Sequence, residues 1–348
     1  MSAFSASDHA LMRRALALAE KGLWSTTPNP RVGCVLAQGE RVVGEGWHEA
    51  AGAPHAEANA LAAAGSAARG AAAFVTLEPC NHHGRTPPCA EALVQAGVAR
   101  VVAAIRDPNP EAHHGGETLA AAGIRFEHGL LQDEARELNL GFFSRLTRGR
   151  PWVRMKIAAT LDGRSQWITG TDARVDGHRW RARACAVLTG IGTVKADDPR
   201  LTVREVATPR QPLRVVVDSR LEISGSARIL QGGNTIVFCA RPGTAPGGTE
   251  TIALTNPQGK VDLPKMLEEL ARRGVNELHV EAGLRLNGSL LREGCVDELL
   301  LYLNPSLLGD GAQGMFHLPP FDALEARPKL SIRSVDRVGD DLRILARL

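Results

Sequence analysis

Apolar residues along this chain alternate between helical and strand periods, and the alternation maps the elements. Leu11, Ala15 and Leu18 share one helical face, with Asp8 placed to cap it. Residues 32–36 and 41–47 read as two strands of a hairpin around Gln38-Gly39-Glu40. An Ala-rich helix is predicted over 56–64, a strand over 72–77, a helix over 89–97 and a strand over 100–105. A short helix over 117–122, a strand over 124–128 and a helix over 133–146 follow. The order α-β-β-α-β-α-β-α-β-α describes a three-layer α/β unit.

Thr147-Arg148-Gly149-Arg150-Pro151, short and basic with a Gly and a Pro, reads as a linker. It divides the chain into domains 1–147 and 148–348. In the second, strands are predicted over 152–158, 186–190, 213–218, 235–239 and 277–280, and helices over 172–184, 263–273 and 287–293. A Gly/Pro-rich loop spans 241–248. Closing strands fall at 299–303, 329–335 and 342–347, the last two as a hairpin around Gly339-Asp340-Asp341. This too is an α/β pattern, and no internal repeat is present.

Composition narrows the function. The 348 residues carry 41 Lys+Arg against 38 Asp+Glu, a net charge of +3, too balanced for a charge-driven nucleic-acid binder. Aromatic residues are 4% of the chain, few for stacking on splayed bases. No basic leader with an apolar core opens the chain, and no apolar run is long enough to span a bilayer, so neither export nor a membrane partner is expected. Six scattered cysteines without an export signal fit a reduced, cytoplasmic protein. Cys34, Cys185, Cys239 and Cys295 lie in apolar contexts and are expected to pack the core.

The remaining pair, Cys80 and Cys89, differs. They bracket Asn81-His82-His83-Gly84-Arg85-Thr86-Pro87-Pro88, and His55-Ala56-Glu57 lies upstream. His55, Cys80 and Cys89 make a one-imidazole, two-thiol zinc site, and a catalytic zinc keeps its fourth position for water. The metal lowers the pKa of that water from about 15.7 toward about 7. Glu57, a non-ligand carboxylate two residues after His55, suits proton transfer between water and a leaving amine. The pattern matches His-x-Glu…Pro-Cys-x-x-Cys of zinc deaminases, except that eight residues separate these cysteines. A closed structural site would need a fourth protein ligand, and His82 or His83 stands within reach in sequence. Pro28 and Pro30 fix an extended loop around Asn29, making its amide a ligand-binding candidate, and His48 ends the second strand. In the second domain Val280-Glu281-Ala282-Gly283, followed by Gly288 at a helix start, reads as a phosphate cradle without the spacing of a dinucleotide fingerprint. Lys156, inside a strand, is the least ordinary charge there.

Together these motifs resemble one family closely, the bifunctional deaminase–reductase of bacterial riboflavin biosynthesis. Thr27-Pro28-Asn29-Pro30-x-Val32-Gly33, His55-Ala56-Glu57 and Leu77-Glu78-Pro79-Cys80-x-His82-His83-Gly84-Arg85-Thr86-Pro87-Pro88-Cys89 are similar to its deaminase half. Lys156, Leu161-Asp162-Gly163-Arg164, Trp167-Ile168-Thr169, Ala196-Asp197-Asp198-Pro199-x-Leu201-Thr202 and Glu281-x-Gly283 are similar to its reductase half. The resemblance implies a cytidine-deaminase-like three-layer α/β/α domain that removes the 2-amino group of a diaminopyrimidinone ribosyl phosphate. Zn2+ sits on His55, Cys80 and Cys89, Glu57 shuttles protons, and Asn29, His48 and His82 meet the substrate. It implies a dihydrofolate-reductase-like α/β domain that uses NADPH to reduce ribosyl to ribityl. Ala159, Trp167, Thr193, Asp197, Ser219, Gly283, Leu284, Arg285, Leu286, Asn287, Gly288 and Ser289 fall where NADPH is held. Ser165, Arg181, Leu201, Arg204 and Glu281 fall where the sugar phosphate is held, and two arginines suit a phosphate dianion. Lys156 and Asp197 are the candidates for polarising the sugar. A homo-oligomer, dimer or tetramer, is expected. One departure stands out: Ser165 follows Arg164 directly, which shortens a loop over the cofactor site. Two competing readings are a nucleic-acid-editing deaminase and a deaminase whose second domain is only a scaffold.

Overall fold

Helix α1 (Ala6–Glu20) begins where the sequence offers a reciprocal cap. Ser5 Oγ accepts from the Asp8 N–H at 3.1 Å, and the Asp8 carboxylate accepts from the Ser5 N–H at 3.0 Å. Its Leu11, Met12, Ala15 and Leu18 are buried. The computed structural model describes residues 4–81, 88–112, 114–165, 168–323, 325 and 327–348. The chain forms two compact units, Met1–Arg148 and Gly149–Leu348.

In the first unit α1 is followed by β1 (Gly33–Gln38), β2 (Arg41–Trp47), α2 (Ala56–Ala64), β3 (Ala72–Val75), α3 (Cys89–Ala96), β4 (Arg100–Ala103), α4 (Gly115–Ala121), β5 (Arg125–His128), α5 (Gln132–Leu138) and α6 (Leu140–Arg148). The sheet order is β2-β1-β3-β4-β5. β1 is antiparallel to β2 and β3, whereas β3, β4 and β5 are parallel. Two glycines set how closely α2 lies on this sheet. A methyl on Gly44 would sit 2.3 Å from the Ala60 carbonyl oxygen, and one on Gly46 2.5 Å from that of Ala56. Helix α2, which carries Glu57 in its first turn, therefore rests directly on the β2 backbone.

The helix expected over 133–146 breaks at Asn139. The buried Asn139 side chain accepts from the Arg31 N–H at 2.8 Å and donates to the Arg31 carbonyl at 2.9 Å, pairing as a strand would. This clamps the backbone two residues after Asn29. The expected linker also starts too early, because α6 continues through Arg148. Thr147 donates to the Phe143 carbonyl at 2.8 Å and Arg148 Nε to Ser144 Oγ at 3.1 Å, which holds the last turn.

The second unit comprises β6 (Trp152–Thr160), α7 (Thr171–Arg183), β7 (Ala186–Gly190), α8 (Ile191–Asp197), β8 (Leu213–Val217), β9 (Thr235–Cys239), β10 (Glu250–Ala253), α9 (Leu263–Arg272), β11 (Glu277–Val280), α10 (Leu284–Arg292), β12 (Glu298–Asn304), β13 (Ser331–Val338) and β14 (Asp341–Arg347). Among the described residues they build a nine-stranded sheet, β10-β9-β8-β7-β11-β6-β12-β14-β13. Strands β10 to β12 in that row are parallel, and the β13–β14 hairpin closes it antiparallel. The apolar stripe of α9, with Met266, Leu267 and Leu270, shares one buried cluster with Met155 of β6 and Leu278 of β11 and so covers one face of the sheet.

Two elements were not legible as such. Helix α8 contains Gly192 and spans only seven residues, and β10 is a polar edge strand of four. Helix α10 also starts three residues earlier than expected, at Leu284, with Gly283 as its N-cap. Gly288 thus lies inside the helix, not at its start. Its missing side chain makes room for the His317 carbonyl, 2.1 Å from where a Cβ would be, so this glycine serves packing and not phosphate approach. Among the described residues no helix is long and apolar enough to cross a membrane.

Candidate active sites

The ends of three elements of the first unit meet at one point. His55 is the N-cap of α2, Cys89 opens α3, and Cys80 follows β3. His55 Nδ1 lies 3.5 Å from Cys80 Sγ and 3.3 Å from Cys89 Sγ, and the three donor atoms lie within 4.8 Å of one another. Tetrahedral zinc with its usual bond lengths sets nitrogen and sulfur ligands about 3.6 Å apart, so the donor set fits that ion. The Cys89 N–H, at a helix start, also donates to Cys80 Sγ at 3.4 Å. Hydrogen bonds from Cys89 and, against the cost of burial, from His55 push the Cys80 thiol down to about 4. Cys89 is pushed up because the proton of the pair stays on it, next to the Cys80 thiolate. A bound cation would hold both sulfurs deprotonated. Cys89→Ser is expected to lower the zinc content of the purified protein severalfold, measured by elemental analysis, and full occupancy would refute Cys89 as a ligand.

Glu57, 3% exposed, points into the same place. Burial and then the Cys80 thiolate push its carboxyl up to about 7. Beside it, Asn29 Nδ2 lies 3.0 Å from His48 Nε2, and His48 Nδ1 lies 3.0 Å from the Pro54 carbonyl. A carbonyl only accepts, so Nδ1 carries the proton and Nε2 accepts from the Asn29 amide. That fixes the amide, with Nδ2 toward His48. Burial keeps the His48 pKa low, consistent with a neutral ring. These residues line a cavity of about 90 Å³ with Glu78, Asp107 and Asn109. Sequence reasoning quoted Glu78 within the deaminase-like motif and read Asp107 and Asn109 as a turn, and gave none of the three a role. Buried Glu78 accepts from the Gly116 N–H at 2.9 Å and the Asp107 N–H at 3.3 Å and pairs with Arg106 at 3.2 Å, tying the loop over 107–116 to the cavity wall. A carboxylate adjoining Pro79-Cys80 was the signal available. His82, expected at the substrate, lies outside the described residues, as does His83.

A charged cluster occupies the second unit. Arg181, on α7, grips Glu281, at the end of β11, through Nε and, at 2.9 Å, through Nη2. Against the cost of burial, Arg181 holds the Glu281 carboxyl well below the usual carboxylate range. Lys156, on β6, has its ammonium pKa lowered by burial, opposed by Glu281, and Nζ sits 5.7 Å from the Tyr302 ring centroid. Asp197, named with Lys156 from the sequence, is exposed at the end of α8, and among the described residues neither hydrogen bond nor ion pair joins the two. Arg204 is half-exposed, with Glu205 at 3.7 Å. Buried Leu201 takes φ of +51°, a left-handed conformation costly for a branched side chain. Ser165 donates its N–H to the Gln313 carbonyl at 2.7 Å.

Of the expected cofactor residues, Ala159 is buried in β6 and Thr193 lies in α8. Ser219, Arg285, Leu286 and Ser289 line a pocket of about 460 Å³ together with Lys260. No side chain caps α10 at Gly283, so its first N–H groups remain available, and the buried Asn287 Oδ1 has no hydrogen-bond partner among the described residues. Free N–H groups, Lys260 and Arg285 suit an anionic dinucleotide. Leu284 to Ser289 are helical, so only Gly283 of that run belongs to a turn. Trp167 lies outside the described residues.

Comparison with known proteins agrees with this division. Residues 5–105 match the cytidine and deoxycytidylate deaminase zinc-binding region, and 151–344 match the RibD C-terminal domain. The chain is 44% identical to the riboflavin biosynthesis protein RibD of Escherichia coli over 96% of its length and 98% of that protein. It is 43% identical to the Haemophilus influenzae protein of that name, covering 99% and 98%. The solved Acinetobacter baumannii RibD superimposes with TM-score 0.90 at 40% identity, covering 98% of each chain. A Thermotoga maritima structure, described as a diaminohydroxyphosphoribosylaminopyrimidine deaminase/5-amino-6-(5-phosphoribosylamino)uracil reductase, gives 0.89 at 33%, again covering 98% of each. The class is therefore a zinc deaminase of cytidine-deaminase-like fold joined to an NADPH-dependent, dihydrofolate-reductase-like α/β reductase. The chain belongs to the RibD family and is a bifunctional deaminase and reductase of riboflavin biosynthesis.

Proposed function

We propose that the deaminase occupies the first unit and the reductase the second, with the expected boundary at 147/148 moved past the end of α6 at Arg148, and that the substrate is a diaminopyrimidinone ribosyl phosphate. The observation that carries the deaminase half is the convergence of His55, Cys80 and Cys89 beside Glu57. Zinc on those ligands supplies the Lewis acidity that brings a water's pKa toward neutrality. Glu57 takes that water's proton and returns it to the departing amine. Asn29, held by His48, turns its amide toward the pyrimidine edge, and His82 is assigned to the substrate on resemblance.

In the reductase half, NADPH supplies hydride. Ala159, Trp167, Thr193, Asp197, Ser219, Gly283 and, from the first turns of α10, Leu284, Arg285, Leu286, Asn287 and Ser289 hold it, with Gly288 left to packing, a reading supported by the uncapped start of α10 and the cationic pocket beside it. Ser165, Leu201 and Arg204 take the sugar phosphate, while Glu281 and Arg181 act as one ion pair. Lys156 places positive charge beside the reacting sugar, and Asp197 is assigned with it on resemblance. A cytoplasmic location is supported by six cysteines free of disulfides. A homo-oligomer is supported by the edge strand β13, whose Ile332 and Val335 are exposed, and a second copy of the chain is the proposed cover.

The test is an assay with two readouts on the pyrimidine substrate. One NADPH is expected to be oxidised per ammonia released. Ammonia without NADPH oxidation would reduce the second unit to a scaffold, and neither would refute the reading.

A further inference from the structure

We propose that His178 is a phosphate-recognising residue of the reductase, its Nε2–H and the Arg181 Nη1–H jointly donating to the phosphate of the sugar phosphate substrate. This rests on the reductase reading above. His178, on α7, is 4% exposed. Its Nδ1 accepts from the Arg204 backbone N–H at 3.2 Å. Both ring nitrogens face donors, and the shorter contact, to the Arg204 N–H, makes Nδ1 the acceptor of a neutral ring, so Nε2 carries the proton. Nε2 lies 3.5 Å from Arg181 Nη1. Guanidinium nitrogens are donors only, so two N–H groups confront each other without an acceptor between them.

The rest of Arg181 is already committed. Its Nε and Nη2 face Glu281, and Nη1 spends one proton on the Thr202 carbonyl at 3.2 Å. Arg181 therefore has no bidentate face left to present to a phosphate. It offers one remaining Nη1 proton, beside the His178 donor. Converging donors left unpaired in a largely buried place are costly, and a shared oxyanion satisfies both. The surroundings select a dianion. Arg204, on the loop whose backbone N–H orients the His178 ring, carries a half-exposed guanidinium with Glu205 at 3.7 Å, and the charges of Arg181 and Arg228 act on it as well. An imidazole N–H and two guanidinium groups on adjoining segments suit a tetrahedral phosphate. Sequence reasoning placed position 178 in the helix over 172–184 and gave it no role.

The experiment follows NADPH oxidation by the full-length enzyme with the deaminated sugar phosphate and with its dephosphorylated counterpart. His178→Asn keeps an oxygen where Nδ1 accepts from Arg204 and removes the outer donor. It is expected to raise KM for the phosphorylated substrate roughly tenfold with kcat little changed, the cost of one hydrogen bond to a charged group. KM for the dephosphorylated substrate is expected to stay put, and His178→Gln, whose amide nitrogen reaches the Nε2 position, to recover most of the loss. Equal losses on both substrates, or no loss, would overturn the proposal. Independently of any variant's folding, histidine ¹⁵N NMR of the wild type should show an Nε2-protonated ring whose Nε2 resonance moves with added inorganic phosphate. An Nδ1-protonated ring or an unmoved resonance would overturn it too. Wild-type enzyme that oxidises no NADPH would instead defeat the reductase reading, and the phosphate titration would still decide the role of His178.

Discussion

Glu57→Gln enzyme is expected to release ammonia roughly 10²–10⁴-fold more slowly than wild type while keeping its zinc. Glutamine has the shape of glutamate but cannot carry a proton from water to a leaving amine. The substitution leaves His55, Cys80 and Cys89 untouched, and those atoms define the metal site. Glu57 is 3% exposed in the first turn of α2, so bulk water cannot easily stand in for it. Oxidation of NADPH on the already deaminated intermediate should be unaffected. Ammonia assays together with elemental analysis separate the possibilities. Loss of zinc would mean that Glu57 supports the ligands. Retained ammonia release would move the shuttle to another carboxylate, and buried Glu78 lines the same cavity.

What could be read from the sequence divides by how local the cause is. His55-Ala56-Glu57 and the two cysteines were legible because zinc chemistry demands those residue types, whatever the fold around them. The strand–helix alternation was legible because burial imposes period on sequence. The break at Asn139 was not, since its cause is Arg31, more than a hundred residues away in the chain. Helix α2 was placed correctly, yet the reason it can lie on β2 lies in Gly44 and Gly46, which read only as residues of a strand. In the reductase unit the sequence offered residue types without their pairing. Arg181 looked like a phosphate ligand, and the structure commits most of it to Glu281. Gly288 looked like a phosphate cradle, and the structure presses the His317 backbone against it. Charge and glycine are ambiguous one by one, and three-dimensional neighbours resolve them.

The Arg181–Glu281 pair yields the second large effect. Glu281→Gln is expected to destabilise the reductase unit by about 3–5 kcal/mol at neutral pH, because removing one partner leaves a buried charge uncompensated. Here the uncompensated charge is Arg181, whose guanidinium is held protonated against the cost of burial by Glu281, with Lys156 also losing its nearby anion. Reductase kcat/KM should fall roughly 10–100-fold, since the guanidinium that meets the phosphate loses its anchor, while ammonia release persists. The pH dependence tests the cause. Glu281 has a folded pKa well below its unfolded value, so its contribution is fully present above the unfolded pKa of about 4.3 and is lost as pH falls toward the folded value. The stability gap between wild type and variant, from urea unfolding, should therefore stay constant between neutral pH and about pH 5 and narrow below about 4.3. Below the folded pKa the wild-type carboxyl is neutral, as the glutamine amide always is, and the two proteins converge. A gap that stays constant down to strong acid would mean that Glu281 acts through packing, and the ion pair would lose its place in both the stability and the phosphate chemistry of this unit.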